Sequence, residues 1–396
     1  MSNLLVLYNP VCGDKSAHKI FNEQVLPLLK QHNKVPSRVV ETTHAGHAGE
    51  VVIDFLLTTP GPLTIILGSG DGTLHEIVVS LYNATVSTPT EISIVLVPCG
   101  TANALYWSLF PPKKAELQSS LLQSLDTFLS PSLYNPRPLT FAITSFHSPT
   151  STFPAEPDTA KTSVAIVVTS TSLHASILHD SEALRSTYPG IERFKIAAQK
   201  NITRWYTGSV KLFPSPGSEA VQLYDPKYQR FVPSTTRGEL QLSGPYAYFL
   251  STVNVDRLES AFRITPLHNL PSDGDGPFMD VVIVRPQRDI TIKDEEESSR
   301  ESFSRKMYQV LMGAYQDGAH PNMTYSEDGN IQSSEEGSSS VVEYFKCGKW
   351  EWTPEPGDDA AHYVCVDGEI LYIPPSGKAE CSATSAIRNV EISVVV

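Results

Sequence analysis

The first third of the chain alternates between two hydrophobic periods. "NLLVLY" (3–8) is an unbroken apolar run, whereas "SAHKIFNEQVLPLLKQH" (16–32) spaces its apolar residues three and four apart and is interrupted at Pro27. The alternation repeats through "SRVVET" (37–42), "AGHAGEVVIDFLL" (45–57), "LTIIL" (63–67), "TLHEIVVSLYN" (73–83), "ISIVLVP" (92–98) and "TANALYWSLF" (101–110). Short apolar runs separated by helical spacing predict a β-α-β-α order. That order implies a parallel sheet with helices on both faces, because parallel strands are joined by crossovers that cover the sheet. Ligands of such sheets gather beyond the carboxyl ends of the strands.

After the proline-rich stretch "PSLYNPRP" (131–138) the pattern changes. "PLTFAITSF" (138–146), "TSVAIVVTSTS" (162–172), "GPYAYFLSTVNV" (244–255), "FMDVVIVRP" (278–286), "SVVEYFK" (340–346) and "GEILYI" (368–373) read as strands, and helical spacing is confined to about 180–203 and 301–316. The expected fold is an α/β N-terminal domain over 1–136 and a β-rich, sandwich-like domain over 137–396, with final strands returning toward the first domain. Polar stretches near 213–243, 293–302 and 325–340 read as mobile insertions. Trp350 and Trp352 alternate on a strand and read as packing or as a lining of a lipid site.

Composition narrows the class. With 40% apolar and 18% charged residues, the 396-residue chain is an ordinary globular mixture. A net charge of −13 excludes nucleic acid as a partner and disfavours simple adhesion to anionic lipid. No apolar run is long enough to span a bilayer. "MSNLLVLYNP" reads as a first strand and not as a secretory leader. Five cysteines without metal-ligand spacing fit a reducing compartment. Cytoplasmic location with peripheral membrane association is therefore expected. The Asn-x-Ser/Thr triplets at Asn83, Asn201 and Asn322 read as chance matches.

Three loops at strand ends carry the candidate chemistry: "YNPVCGDKSA" (8–17), "GSGDGT" (68–73) and "VPCGTANAL" (97–105). Glycine lets backbone approach a ligand, and the N–H groups opening the next helix suit phosphate. The turn order places all three at one sheet edge. Asp71 sits between Gly70 and Gly72; Asp-Gly is a common hairpin signal, but a helix follows here. A carboxylate at that helix start can orient a hydroxyl group or take its proton.

These residues resemble the diacylglycerol kinase catalytic domain superfamily, and most nearly its sphingosine kinase-like members. "LVLYNPVCGDKSA" is similar to the family's Asn-Pro-x-Ser/Gly-Gly opening, "TTHAGHAGE" to its Thr-x-x-x-x-His-Ala segment, and "GSGDGTLHE" to Ser/Gly-Gly-Asp-Gly-x-x-x-Glu. "VPCGTANALY" resembles Pro-x-Gly-Ser/Thr-x-Asn-Ala/Asp, "HDSEALR" (179–185) an acidic-Ser-Glu-x-x-Arg segment, and "CVDGEIL" the closing Asp-Gly-Glu. The motifs run in order across nearly the whole chain.

The resemblance implies an ATP- and Mg2+-dependent lipid kinase, with nucleotide in a cleft between an α/β domain and a β-rich domain that holds the lipid. Asp71 would activate the acceptor hydroxyl. Asn9, Pro10, Gly13, Lys15, Thr42, Ser69, Gly70, Gly72, Thr73, Gly100, Thr101, Asn103, Glu182, Arg185, Arg193, Asp367, Gly368 and Glu369 would face ATP, with Asp367 on the metal. Guanidinium groups suit phosphate and carboxylates suit magnesium. Taken by themselves, Arg185 with Glu182 reads as a surface pair, Asp367-Gly368 as a hairpin turn, and His44 and His47 as structural. Whether Thr42 or Thr43 occupies the family position stays open.

Three departures stand out. Val11-Cys12 stands where sphingosine kinases tend to have Arg-Gly, and Asp14 where they have a lysine, with Lys15 nearby. Ala102 replaces a common glycine. Leu178 stands where those kinases carry an aspartate that meets the lipid amine, with Asp180 as a neighbouring carboxylate. The expected reaction is transfer to a primary hydroxyl, with a sphingoid long-chain base as acceptor and diacylglycerol or ceramide as alternatives. The partners are a lipid substrate and a transient membrane surface, and a homodimer stays open. NAD kinase shares Gly-Gly-Asp-Gly but not the later segments. A non-catalytic lipid-binding protein is the rival of another class.

Overall fold

The computed structural model describes residues 3–84, 89–112, 121–130, 132–148, 161–188, 190–234, 237–333 and 339–396. The chain divides into two compact units. One runs to Phe141 and includes Arg257–Ser260 and Thr384–Val396; the other comprises Ala142–Asp256 and Ala261–Ala383.

In the first unit, strands β1 (Asn3–Tyr8), β2 (Arg38–Glu41), β3 (Leu63–Ser69) and β4 (Thr90–Pro98) pair in parallel in the order β2-β1-β3-β4. Leu5, Val6, Ile65, Ile66, Ile94 and Val95 are fully buried, as strands covered on both faces require. Helices α1 (Ala17–Ile20), α2 (Leu26–Gln31), α3 (His47–Thr58), α4 (Asp71–Asn83), α5 (Ala104–Leu109) and α6 (Gln123–Leu129) belong to this unit. α1 and α2 are one helical path joined by a π-helical segment, Phe21–Val25. The widened turn lies just before Pro27, which has no N–H and whose ring would crowd an ordinary α-turn. The C-terminal strand Val390–Val395 pairs in parallel with β4 and antiparallel with β5 (Pro136–Pro138).

The second unit contains an eight-stranded and a six-stranded sheet. Tyr248–Thr252, Met279–Val284 and Glu343–Cys347 form the middle of the larger sheet through antiparallel pairs. Trp350 and Trp352, on Lys349–Pro354 of the smaller sheet, are completely buried. They pack edge-on or tilted against Phe249 of the larger sheet, and the Trp350 indole N–H donates to the Ser251 hydroxyl at 3.0 Å. These tryptophans form the core of a β-sandwich, which resolves their two readings in favour of packing.

One apolar run folds differently from its pattern. "TSVAIVVTSTS" breaks into Thr162–Ala165, in the six-stranded sheet, and Val168–Thr171, in the eight-stranded sheet. Helix α7 (Ser172–Ala183) follows at once, then α8 (Glu192–Asn201). Residues 213–243 contain Gln222–Asp225, Arg230–Pro233 and Leu240–Ser243, all strands. Helix α9 (Glu297–Tyr315) begins within 293–302. Short strands Ile331–Ser333 and Ser339–Ser340 lie within 325–340, where 334–338 fall outside the described residues.

Candidate functional site

The three loops meet at the carboxyl edge of the parallel sheet. The Asn9 N–H donates to the Gly68 carbonyl at 2.9 Å, and the Cys99 N–H to the Ser69 carbonyl at 3.1 Å. Gly13, at φ +52°, rests on the Cys99 carbonyl: a Cβ there would stand 2.2 Å from that oxygen. The Cys12 thiol donates to the same carbonyl at 3.2 Å, and burial pushes that thiol up to about 11. Gly70 and Gly100 touch backbone to backbone, since a Cβ on Gly100 would lie 2.2 Å from the Gly70 Cα. The glycines of the second and third loops are therefore required by each other.

Asn103 fixes the third loop. Its side-chain oxygen accepts the Gly100 N–H and its amide donates to the Gly100 carbonyl, both at 2.9 Å. Asn103 has φ +54°, a conformation asparagine tolerates better than most residues. Asp71 is the first residue of α4, but its carboxylate turns toward α5. It accepts the Ala104 N–H at 2.7 Å and the Leu105 N–H at 3.1 Å, one on each oxygen. A narrow crevice beside Asp71 is lined by Leu67, Leu74, Leu96, Val97, Asn103 and Tyr106.

The other predicted residues of this unit take distinct places. Ser69 and Thr73 are buried, while Gly72, Thr101 and Lys15 are exposed. Thr42 is buried and donates its N–H to the Tyr8 carbonyl at 2.9 Å. Thr43 is exposed and bonds His47 through its N–H. Pro10 and Asn9 are half-buried, and the Asn9 side chain accepts the Val11 N–H. Sequence reasoning gave no role to Glu76, whose carboxylate accepts the Gly46 N–H at 3.0 Å and so ties the start of α3 to α4. Its signal was the glutamate closing "GDGTLHE".

In the second unit, Glu182, Arg185 and Arg193 come together. The Arg185 guanidinium bonds Glu182 at 2.7 and 3.0 Å. Burial and repulsion from Arg185, opposed by Glu182, hold Arg193 below its ordinary range. Asp180 works against burial: its carboxylate accepts from Lys200 at 2.8 Å, Asn201 at 3.0 Å and His179 at 3.0 Å, which hold it at about 2. Its oxygens thus dock α7 onto α8. Leu178 is half-buried.

Asp367 and Gly368 form the two-residue turn of the hairpin Tyr363–Val366/Glu369–Tyr372, both at positive φ. That is the geometry in which Asp-Gly is favoured. The Asp367 carboxylate accepts the N–H groups of Ile166 (2.7 Å), Val167 (3.0 Å) and Val168 (2.8 Å). These are the residues where the chain leaves one sheet for the other. The group expected on magnesium is engaged in closing that break. Glu369 accepts the Ser163 hydroxyl at 3.1 Å. Among the described residues, no group of three or more His, Cys, Asp or Glu side chains is placed to hold a metal ion.

Comparison with known proteins bears on this arrangement. The model of the diacylglycerol kinase catalytic domain matches residues 3–128, which hold all three loops and Asp71. The resemblance read from the loops to the diacylglycerol kinase catalytic domain is thus borne out over residues 3–128. Sphingosine kinase 1 of Arabidopsis thaliana is 26% identical over 302 residues, 71% of this chain and 56% of that protein. Sphingoid long chain base kinase 5 of Saccharomyces cerevisiae is 33% identical over 105 residues, 26% of this chain and 15% of that protein. Sphingosine kinase 2 of Arabidopsis thaliana is 36% identical over 107 residues, 27% and 22% of the two chains. This chain thus spans little more than half of the first relative and less of the others.

Two solved structures of a provisionally assigned diacylglycerol kinase from Bacillus anthracis str. Sterne share the fold, at TM-scores of 0.53 and 0.52 with 12% and 13% identity. Each match covers 99% of this chain and 96% of the other. The resemblance to the diacylglycerol kinase catalytic domain and to sphingosine kinases, and an α/β unit followed by a β-rich one, are as the sequence predicted. No helix among the described residues is long and apolar enough to cross a membrane.

Proposed function

We propose that this chain transfers the γ-phosphoryl group of ATP to a primary hydroxyl of a long-chain lipid. The observation that carries the proposal is the convergence of three glycine loops on Asp71 at one sheet edge. The rim suits a polyphosphate. A Cβ at Gly72 would meet nothing within 4 Å, so the backbone opening the 13-residue α4 is accessible. N–H groups in a first helical turn lack intrahelical partners and attract anions.

ATP supplies the phosphoryl group when bound. Asn9, Pro10, Gly13, Lys15, Thr42, Ser69, Gly70, Gly72, Thr73, Gly100, Thr101 and Asn103 would hold it, and Arg185 and Arg193 would oppose its charge, with Glu182 orienting Arg185. The Asp367-Gly368-Glu369 turn would present Glu369. Magnesium in nucleotide sites takes one or two carboxylates besides phosphate oxygens and water, so it would arrive with the nucleotide. Asp71 orients the acceptor hydroxyl and takes its proton on a carboxylate oxygen as the new bond forms. General-base assistance of this kind contributes about 10²–10⁴-fold.

The names of the relatives favour a sphingoid long-chain base as acceptor. Leu178 and the engagement of Asp180 favour a second reading, diacylglycerol or ceramide. Work at a transient membrane surface in the cytoplasm fits either lipid. A radiolabelled-ATP assay on a lipid panel tests the proposal, with label appearing in a lipid only when Asp71 is intact.

A further inference from the structure

A fourth loop borders the sheet edge that carries the other three. β2 ends at Glu41, and the Thr42 N–H donates to the carbonyl of Tyr8, the last residue of β1 before Asn9. Residues 42–46 therefore leave the sheet beside the first loop, at the same carboxyl edge. Two contacts fix this loop. From α4, whose first residue is Asp71, the Glu76 carboxylate accepts the Gly46 N–H at 3.0 Å. From α3, the His47 Nδ1 accepts the Thr43 N–H at 3.1 Å, with the Thr43 hydroxyl 3.2 Å away. Gly46, at φ +84°, carries the chain from Thr43 round to His47.

The Thr43 bond dictates the state of the ring. A backbone N–H can only donate, so Nδ1 of His47 carries a lone pair and the imidazole is neutral. A proton added to Nδ1 sets two donors against each other. It also places a cation in the first turn of the 12-residue α3, at the positive end of the helix dipole. His44 differs. Its ring stacks on His47 with centroids 4.9 Å apart, its Nδ1 lies 3.0 Å from the Ala45 carbonyl, and its Nε2 lies 3.7 Å from the Glu50 carboxylate. Both nitrogens of His44 face acceptors, so a proton on each is accommodated. The carboxylates beside the loop are Glu50, which faces His44, and Glu76, which faces the Gly46 N–H.

We infer that His47 is a positioning residue for the nucleotide: as a neutral ring it latches loop 42–46 at the rim of the site, and acidification releases the latch and weakens Mg-ATP binding. Histidine is the side chain that gains a proton between about pH 5 and 8. The inference rests on the nucleotide reading of the glycine loops and adds to it a control of nucleotide affinity by protons. Glu76 holds the other end of the loop, and glutamine there keeps an oxygen for the Gly46 N–H.

The test measures Mg-ATP binding to the full chain by calorimetry from about pH 8 down to about pH 5.5, with lipid labelling by ATP in parallel. Asparagine sets its side-chain oxygen where histidine carries Nδ1 and takes up no proton in this range. His47→Asn is therefore expected to bind Mg-ATP as tightly as wild type at the upper pH. His47→Ala is expected to raise Kd and KM for ATP about fivefold there, the loss of one hydrogen bond, with kcat at saturating ATP retained. On acidification wild type is expected to weaken about fivefold more than His47→Asn, while Glu76→Gln follows wild type. Protonation of ATP itself is common to all these proteins and cancels in the comparison. Equal acid weakening in wild type and His47→Asn overturns the inference and leaves the kinase reading standing, as does wild-type affinity in His47→Ala. Acid weakening lost in Glu76→Gln moves the titrating group to Glu76 and likewise overturns it. Wild type that binds no Mg-ATP at any pH overturns the nucleotide reading and the inference together.

Discussion

Gly100 lies against Gly70 so closely that a methyl group on it would stand 2.2 Å from the Gly70 Cα and 2.8 Å from its nitrogen. Both obstacles are backbone, which cannot rotate aside. Gly100→Ala is therefore expected to push the third loop off the second. Overpacking of this kind costs about 1–3 kcal/mol. A lowered melting temperature and loss of Mg-ATP-induced stabilisation are expected together in a thermal shift experiment. An alanine variant with wild-type values for both would show that the contact is dispensable.

The Asp367 clamp gives a graded prediction. Asp367→Ala strands three backbone N–H groups at the break between the sheets. One unsatisfied buried donor costs about 1–3 kcal/mol, so the variant should lose about 3 kcal/mol or more. Asp367→Asn keeps an oxygen able to accept from Val167 and Val168, and should lose roughly half as much by chemical denaturation.

Much of this was legible locally. The apolar runs, the helices between them and the glycine loops follow from short-range periodicity and turn chemistry, and "CVDGEIL" announces its hairpin through Asp367-Gly368. What was not legible depends on partners far apart in sequence. Nothing in "TSVAIVVTSTS" shows that its middle N–H groups will be taken by a carboxylate some two hundred residues later. The return of the final strands toward the first domain was expected, but nothing local in Val390–Val395 names β4 as its partner. Asp71 was placed correctly at the start of α4, but its hold on α5 needed the third dimension.

Asp180 predicts an acid limb to stability. Its carboxyl sits at about 2 in the folded chain and near 3.9 when unfolded. A depressed folded value means that the stabilisation is complete above the unfolded value and is lost as pH falls from about 4 to about 2. With its side chain 19% exposed, the discounted contribution is about 1–2 kcal/mol. Asp180→Asn should be less stable by that amount at pH 7 and should show a shallower loss between pH 4 and 2.

Asn103→Ala removes both bonds to Gly100 and places alanine at φ +54°. A loss of about 2 kcal/mol is expected from the bonds and the strained backbone together. Weaker nucleotide binding should accompany it. Asn103→Gly, which relieves only the backbone, should recover part of the stability and none of the affinity.

The most direct test of the central claim compares wild type with Asp71→Asn in a radiolabelled-ATP assay against sphingosine, dihydrosphingosine, phytosphingosine, ceramide, diacylglycerol and monoacylglycerol, with NAD in parallel. Label in at least one lipid, reduced about 100-fold or more in a folded variant that still binds Mg-ATP, is the predicted result. Label in NAD alone, or equal lipid labelling by the two proteins, would contradict a lipid kinase built around Asp71.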